Sequence, residues 1–314
     1  MTTDAAPPIR LAHLGILRFT GADALSFLQG QLSNDTQRLA EGRPLLAAYS
    51  SAQGRVLAVI YLLPHSSGIA AILPRETLAP TLERLRKFVL RAKVRIEDAG
   101  ESLLVAGRFG AAAHDARGGY VERGGVGVAP VHGDAGRSLV IGAADGIAPA
   151  DDAQLVQFER EWRLADVRAG LPQIYAATSE AFVAQMLNLD LLDGISFSKG
   201  CYTGQEIIAR TQHLGRIKRR LHRLLLPPGT WRIGQSLHLH DGRHGRLTEV
   251  IESGGRIEGL AVLNIGPDPA AAGETAARET AARETAPGET ASEAAVEASE
   301  LPLPYPLFGP HVRE

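Results

Sequence analysis

The chain has 314 residues, of which 45% are hydrophobic and 22% charged, with a formal net charge of −2. That balance is ordinary for a globular protein of two or three packed units, and it excludes a protein that binds nucleic acid by bulk positive charge. One cysteine excludes an internal disulfide framework and suits a reducing cytosol.

The first ten residues, MTTDAAPPIR, carry neither a basic leader nor an apolar segment, so no signal peptide is expected and the location is expected to be cytoplasmic. The longest apolar run, residues 56–63, is too short to span a bilayer and reads as a buried strand. Charge is unevenly spread. Residues 269–300 hold seven glutamates and two arginines, a contribution of −5, which leaves 31 Lys+Arg against 28 Asp+Glu, or +3, elsewhere.

Residues 9–19 read as a strand, after which Thr20 opens a helix with Asp23 as its capping partner and Leu25, Leu28 and Leu32 on one face. Residues 45–49 and 55–63 form a hairpin across the turn at 50–54, and 69–73 form a further strand. A helix from Pro80 carries Arg84, Arg86, Lys87 and Arg91 on its outer face, either simply solvated or a surface for acidic tails or RNA. The strand 93–96 follows it. Residues 103–106 lead into Gly107-Arg108-Phe109-Gly110, a plain turn lacking any dinucleotide or P-loop spacing. A glycine-rich irregular stretch spans 117–136, a strand 138–141, and a helix runs from Asp151-Asp152 to Trp162.

From Arg219 the period changes to two. Strands at 236–240, 246–251 and 256–263, joined by tight turns, predict a small antiparallel β-barrel or sandwich. Residues 269–300 repeat GETAA, RETAA, RETAP and GETAS with almost no bulky apolar residue, which predicts a mobile insertion.

Chemistry concentrates in Lys199-Gly200-Cys201-Tyr202-Thr203-Gly204-Gln205-Glu206, which holds the sole cysteine. Gly200 and Gly204 allow a tight turn that exposes the sulfur, and Lys199 and Arg210 are cations that favour thiolate. An unperturbed thiol is only about 7% ionised at about pH 7.4, so a nearby cation matters. The competing reading, a small buried hydrophobe, fits poorly with such polar neighbours.

The run GISFSKGCYTGQEIIAR resembles the signature of the YgfZ family, folate-binding relatives of the glycine-cleavage T-protein, and the resemblance extends from about Leu14 to about Gly266, resuming at residues 301–305. It implies an α+β fold: a T-protein-like folate-binding body of two α/β units over 1–226 and a C-terminal antiparallel β-barrel over 227–268, completed by 301–314, with 269–300 a disordered insertion. By residue type Trp162 is either a core anchor or a stacking wall for a planar heterocycle. The resemblance favours the second and implies a tetrahydrofolate cofactor in a central cleft against Trp162 and Leu14, where relatives carry tryptophan at the second position. The loop residues Gly200, Tyr202, Gln205 and Glu206 line its mouth, with Cys201 and Lys199 as the acting pair. No metal ligand is assigned.

The implied role is iron–sulfur cluster assembly or repair, and through it tRNA thiolation, with tRNA-thiolating enzymes as partners and direct tRNA contact less supported. An accessory factor is expected rather than an aminomethyltransferase. The aspartate pair of T-proteins falls on Ala58 and Val59, and their later acidic residue on Arg168. A one-carbon transferase and a direct tRNA-binding module using the basic strand (Arg219, Arg220, Arg223) and the basic helix remain as alternatives. His238, His240 and His244 on one hairpin are read as surface histidines rather than zinc ligands.

Overall fold

A computed structural model describes residues 7–100, 102–110, 119–213, 217–266 and 295–307. The first part of the chain forms β1 (Ile9–Arg10), β2 (Leu14–Thr20), α1 (Ala24–Gln31), β3 (Leu45–Ser50), β4 (Val56–His65), β5 (Gly68–Pro74), α2 (Arg75–Arg86) and β6 (Arg95–Asp98). A middle part follows with β7 (Leu104–Phe109), β8 (Val121–Arg123), β9 (Val126–Val131), β10 (Asp134–Gly142), α3 (Asp152–Ala169) and α4 (Gln205–His213). The last part holds β11 (Arg219–Leu226), β12 (Ser236–His238), β13 (His244–Ser253), β14 (Arg256–Asn264) and β15 (Ser299–Leu301).

These strands make three five-stranded sheets, in the orders β3-β4-β5-β2-β6, β1-β7-β10-β9-β8 and β12-β13-β14-β11-β15. Helices are interspersed among hairpins and every pairing between the named strands is antiparallel, as the α+β reading expects. The two edges of the third sheet meet. Leu239, just past β12, forms a parallel bridge with Val296, just before β15, and Val296 N donates to His238 O at 2.7 Å. No described helix is long and apolar enough to cross a membrane.

One apolar core joins all three sheets: Ile16 and Val59 from the first, Val105 and Ile141 from the second, Leu221 and Val262 from the third, with Trp162 of α3 and Ile208 of α4 among them. A second core fills the space between the first sheet and its two helices, where Leu28, Leu78, Leu82 and Leu85 pack on Leu17, Ile60 and Leu73.

Several sequence boundaries move. Asp23 does not cap α1 with its side chain; its carboxylate accepts from Lys93 N at 2.6 Å instead. α2 begins at Arg75, five residues before Pro80, because a proline inside a helix deletes only one ladder bond. Residues 104–109 continue as strand through Gly107, and most of the described part of 117–136 is ordered hairpin, its glycines at the turns Gly124-Gly125 and Gly133 with positive φ.

α3 passes Trp162 and ends only at Gly170, whose φ of 65° gives the left-handed cap. β11 lies before the expected boundary at 226/227, yet pairs with β14 over eight residues and so belongs to the third sheet. The expected insertion falls mostly outside the described residues, but its last residues do not follow that expectation: Ser299–Leu301 pairs with β11, satisfying an otherwise open edge.

Candidate functional site

The thiol loop sits between the end of α1, the β3–β4 turn and the start of α4. Cys201 is exposed. Around it the chain is pinned. Thr203 N donates to Gly30 O at 3.3 Å, and Gln205 Oε1 accepts from Tyr202 N at 3.3 Å, tying the loop to the first residue of α4. Gln185 Nε2 donates to Ile208 O at 2.7 Å and holds α4 from below.

Gly204 (φ 82°) lies so close to the β3–β4 turn that a Cβ there would stand 2.6 Å from Ser51 O, and a Cβ on Gly54 (φ 71°) would stand 2.8 Å from Ile207 Cβ. Both must be glycine for the loop to seat. Gly200 is different: its backbone is not left-handed and a Cβ would meet nothing within 4 Å, so steric need does not explain it.

Lys199 spends its hydrogen bonds on backbone. Its Nζ donates to Gln29 O, Leu32 O and Asn34 O at 2.7, 2.7 and 2.8 Å, filling all three donors with carbonyls at the end of α1. Those carbonyls have no partner within the helix and lie at the negative end of its dipole, which is where an ammonium is most stabilised. Tyr202 closes the other side, its ring centroid 4.9 Å from the ammonium. Burial lowers the Lys199 pKa to about 8, with Asp35 opposing, and pushes Tyr202 up to about 12. The expected pair of thiolate and tuning cation is thus an exposed thiol beside a clamp. Glu206 is exposed, with no hydrogen bond to another described residue, so Gln205 alone of the Gln-Glu pair fixes the loop.

Trp162 is the second correction. The indole is 2% exposed. A Cβ on Gly107 would lie 2.5 Å from its ring, the Arg137 guanidinium carbon sits 4.6 Å from its centroid, and Phe109 and Phe158 pack at 5.7 and 6.1 Å. Arg137 is itself held by Asp134, Asp166 and the Trp162 carbonyl. Leu14 opens β2 in the same core, also buried. Neither side chain presents a face to a ligand. Residue type alone allows a core anchor here, but most of the wall, Gly107, Phe109 and Arg137, lies far along the chain.

The basic run is divided: Lys218 and Arg219 are exposed, while Arg220 and His222 are buried. Arg220 makes a bidentate pair with Asp190 at 2.6 and 2.9 Å, His222 meets Glu300 at 2.8 Å, and Arg223 meets Glu258 at 2.6 Å. Arg216 lies outside the described residues. His238 and His244 stack at 6.2 Å across β12 and β13.

No protein-family model matches the chain. Among individual proteins it is similar to the tRNA-modifying protein YgfZ of Colwellia psychrerythraea, 33% identical over 226 residues that span 68% of this chain and 69% of the relative. The protein of that name from Escherichia coli is 31% identical over 281 residues, 82% of this chain and 84% of the relative. The chain belongs to the YgfZ family.

Its fold is that of a solved structure, the glycine cleavage system aminomethyltransferase T from Bartonella henselae, with a TM-score of 0.57 at 11% identity over 83% of this chain and 79% of the other. In this YgfZ-family member the positions where the resemblance places the aminomethyltransferase carboxylates hold no free acid. Ala58 and Val59 are buried in apolar cores, and Arg168 donates to Glu258 Oε1 at 2.8 Å.

Proposed function

We propose that this chain serves tRNA modification as an accessory factor, with the Cys201 thiol as its working group and the iron–sulfur cluster of a tRNA-thiolating enzyme as its cargo. The observation that carries the reading is the contrast inside one loop. Cys201 is exposed while the residues on either side are fixed by a half-buried ammonium, a buried tyrosine and two glycines packed at the β3–β4 turn. Thiolate is a soft ligand suited to iron–sulfur clusters. On ligating a cluster iron, Cys201 releases its proton to water and takes the place of a leaving ligand. No electron is transferred. A fixed loop lowers the ordering cost of that contact.

Folate is supported by the fold class and the family. The residues that the resemblance assigns to it do not fit: Trp162 and Leu14 are sealed, Tyr202 lies under Lys199, and Gln205 Oε1 is taken by Tyr202 N.

The test mixes purified protein with a tRNA-thiolating enzyme carrying its cluster and follows the cluster's visible absorbance under oxidative challenge. Wild type is expected to prolong the cluster's half-life and Cys201→Ser to shorten that protection. Equal protection by both proteins would overturn the reading.

A further inference from the structure

We propose that the segment from the end of α2 to the start of β6 is a docking surface for RNA, set at a fixed distance from the thiol loop by α1. This rests on the tRNA-modification reading and names the partner that reading leaves unplaced.

Residues 84–95 read RLRKFVLRAKVR, six cations in twelve residues with no carboxylate, within a chain of net charge −2. The fold consumes only part of that charge. Arg84 faces the Tyr49 hydroxyl, Arg86 donates to Ile96 O at 3.1 Å, and Arg95 pairs with Glu97 at 2.7 Å. Lys87, Arg91 and Lys93 are exposed, with no ion pair to any described residue. Between them stand Phe88 and Leu90, 44% and 85% exposed, two of the five large hydrophobic side chains exposed among the described residues.

Unneutralised cations with an exposed ring between them match a polyanion that offers phosphates and stackable bases. A bilayer surface is the poorer match. α2 turns its apolar face inward, with Leu78, Leu82 and Leu85 buried, so no continuous apolar stripe is left to lie in lipid.

The position of this surface gives it a role. Lys93 and Asp23 exchange two bonds, Lys93 N to the Asp23 carboxylate at 2.6 Å and Asp23 N to Lys93 O at 3.2 Å. Asp23 is the residue before α1, and the far end of α1 is the one gripped by Lys199. Eight helical residues at about 1.5 Å each put roughly 12 Å between the two attachments. RNA phosphates on Lys87, Arg91 and Lys93 would therefore be tied through Asp23 to the near end of α1, one helix length from the Lys199 clamp of the thiol loop.

The experiment measures binding of a fluorescent, unmodified tRNA transcript to the full chain by anisotropy at about 50 and about 200 mM salt. Losing three phosphate contacts in Lys87→Gln/Arg91→Gln/Lys93→Gln lowers the salt slope, so wild type should lose about 40-fold more affinity than this variant over that range. Phe88→Ala should weaken binding at least about fivefold. Circular dichroism checks the fold of each variant. Cys201→Ala should bind the tRNA as wild type does, and the triple variant should still label at Cys201 with a thiol reagent. The surface and the thiol therefore fail separately. Equal affinity and equal salt slope for wild type and the triple variant would overturn the proposal. So would binding to phosphatidylserine vesicles that depends on Phe88 and Leu90 without any binding of tRNA.

Discussion

Cys201 and Trp162 are marked by the same family resemblance, and the structure treats them in opposite ways. The cysteine is exposed on a loop whose other parts are anchored; the tryptophan is sealed between Gly107, Arg137 and two phenylalanines. A side chain meant to act needs access, and access costs burial elsewhere, which the Lys199 clamp and Tyr202 supply. The tryptophan gives up access and contributes to stability. The comparison teaches that a matched position carries a function only as far as its surroundings leave the atom free.

The largest expected effect tests the sealed half. Trp162→Ala should destabilise the chain by about 3–5 kcal/mol, read from urea unfolding, since it empties a core site that three sheets share. A loss below about 1 kcal/mol would mean the indole is not the pillar described.

Next comes the clamp. Lys199→Met leaves three carbonyls at the end of α1 without a donor and should cost about 2 kcal/mol. Lys199→Arg should not restore it, because a planar guanidinium does not fit a three-pronged cage. Full rescue by arginine would show that charge, not geometry, is what the position supplies.

The smallest effect concerns acid. Burial pushes the Glu258 and Glu300 carboxyls up, but their bonds to Arg168 and Arg223, and to His222 and Arg243, outweigh it and hold both below the usual range. Stability from such depressed carboxylates is fully present above the ordinary value of about 4.3 and is lost as pH falls through the folded values. The urea midpoint should hold from neutral pH to about pH 5 and drop below about pH 4, with a shallower drop in Arg168→Met. An identical drop in that variant would remove the Arg168–Glu258 pair from the account.

Much of the fold was legible because hydrophobic period sets strand and helix locally. The β3–β4 hairpin and the period-two C-terminal strands stand where the pattern puts them. The end of α3 lies beyond Trp162, where Leu164 and Val167 keep helical spacing and Gly170, with Pro172 two residues on, is the stop signal the sequence does carry. At the site, the exposed cysteine was legible from its polar neighbours. The Lys199 cage was not, because it is made of backbone carbonyls that carry no residue identity. Nor was the wall around Trp162, whose nearest parts, Gly107 and Arg137, lie 55 and 25 residues away in sequence.

The most direct measurement compares thiolated tRNA in cells carrying either the wild-type chain or Cys201→Ala in place of it, with the thermal unfolding of both purified proteins run alongside. An exposed side chain should change stability by no more than about 0.5 kcal/mol, so the account predicts matching unfolding curves and a collapse of tRNA thiolation in the variant. Undiminished thiolation with Cys201→Ala would contradict it.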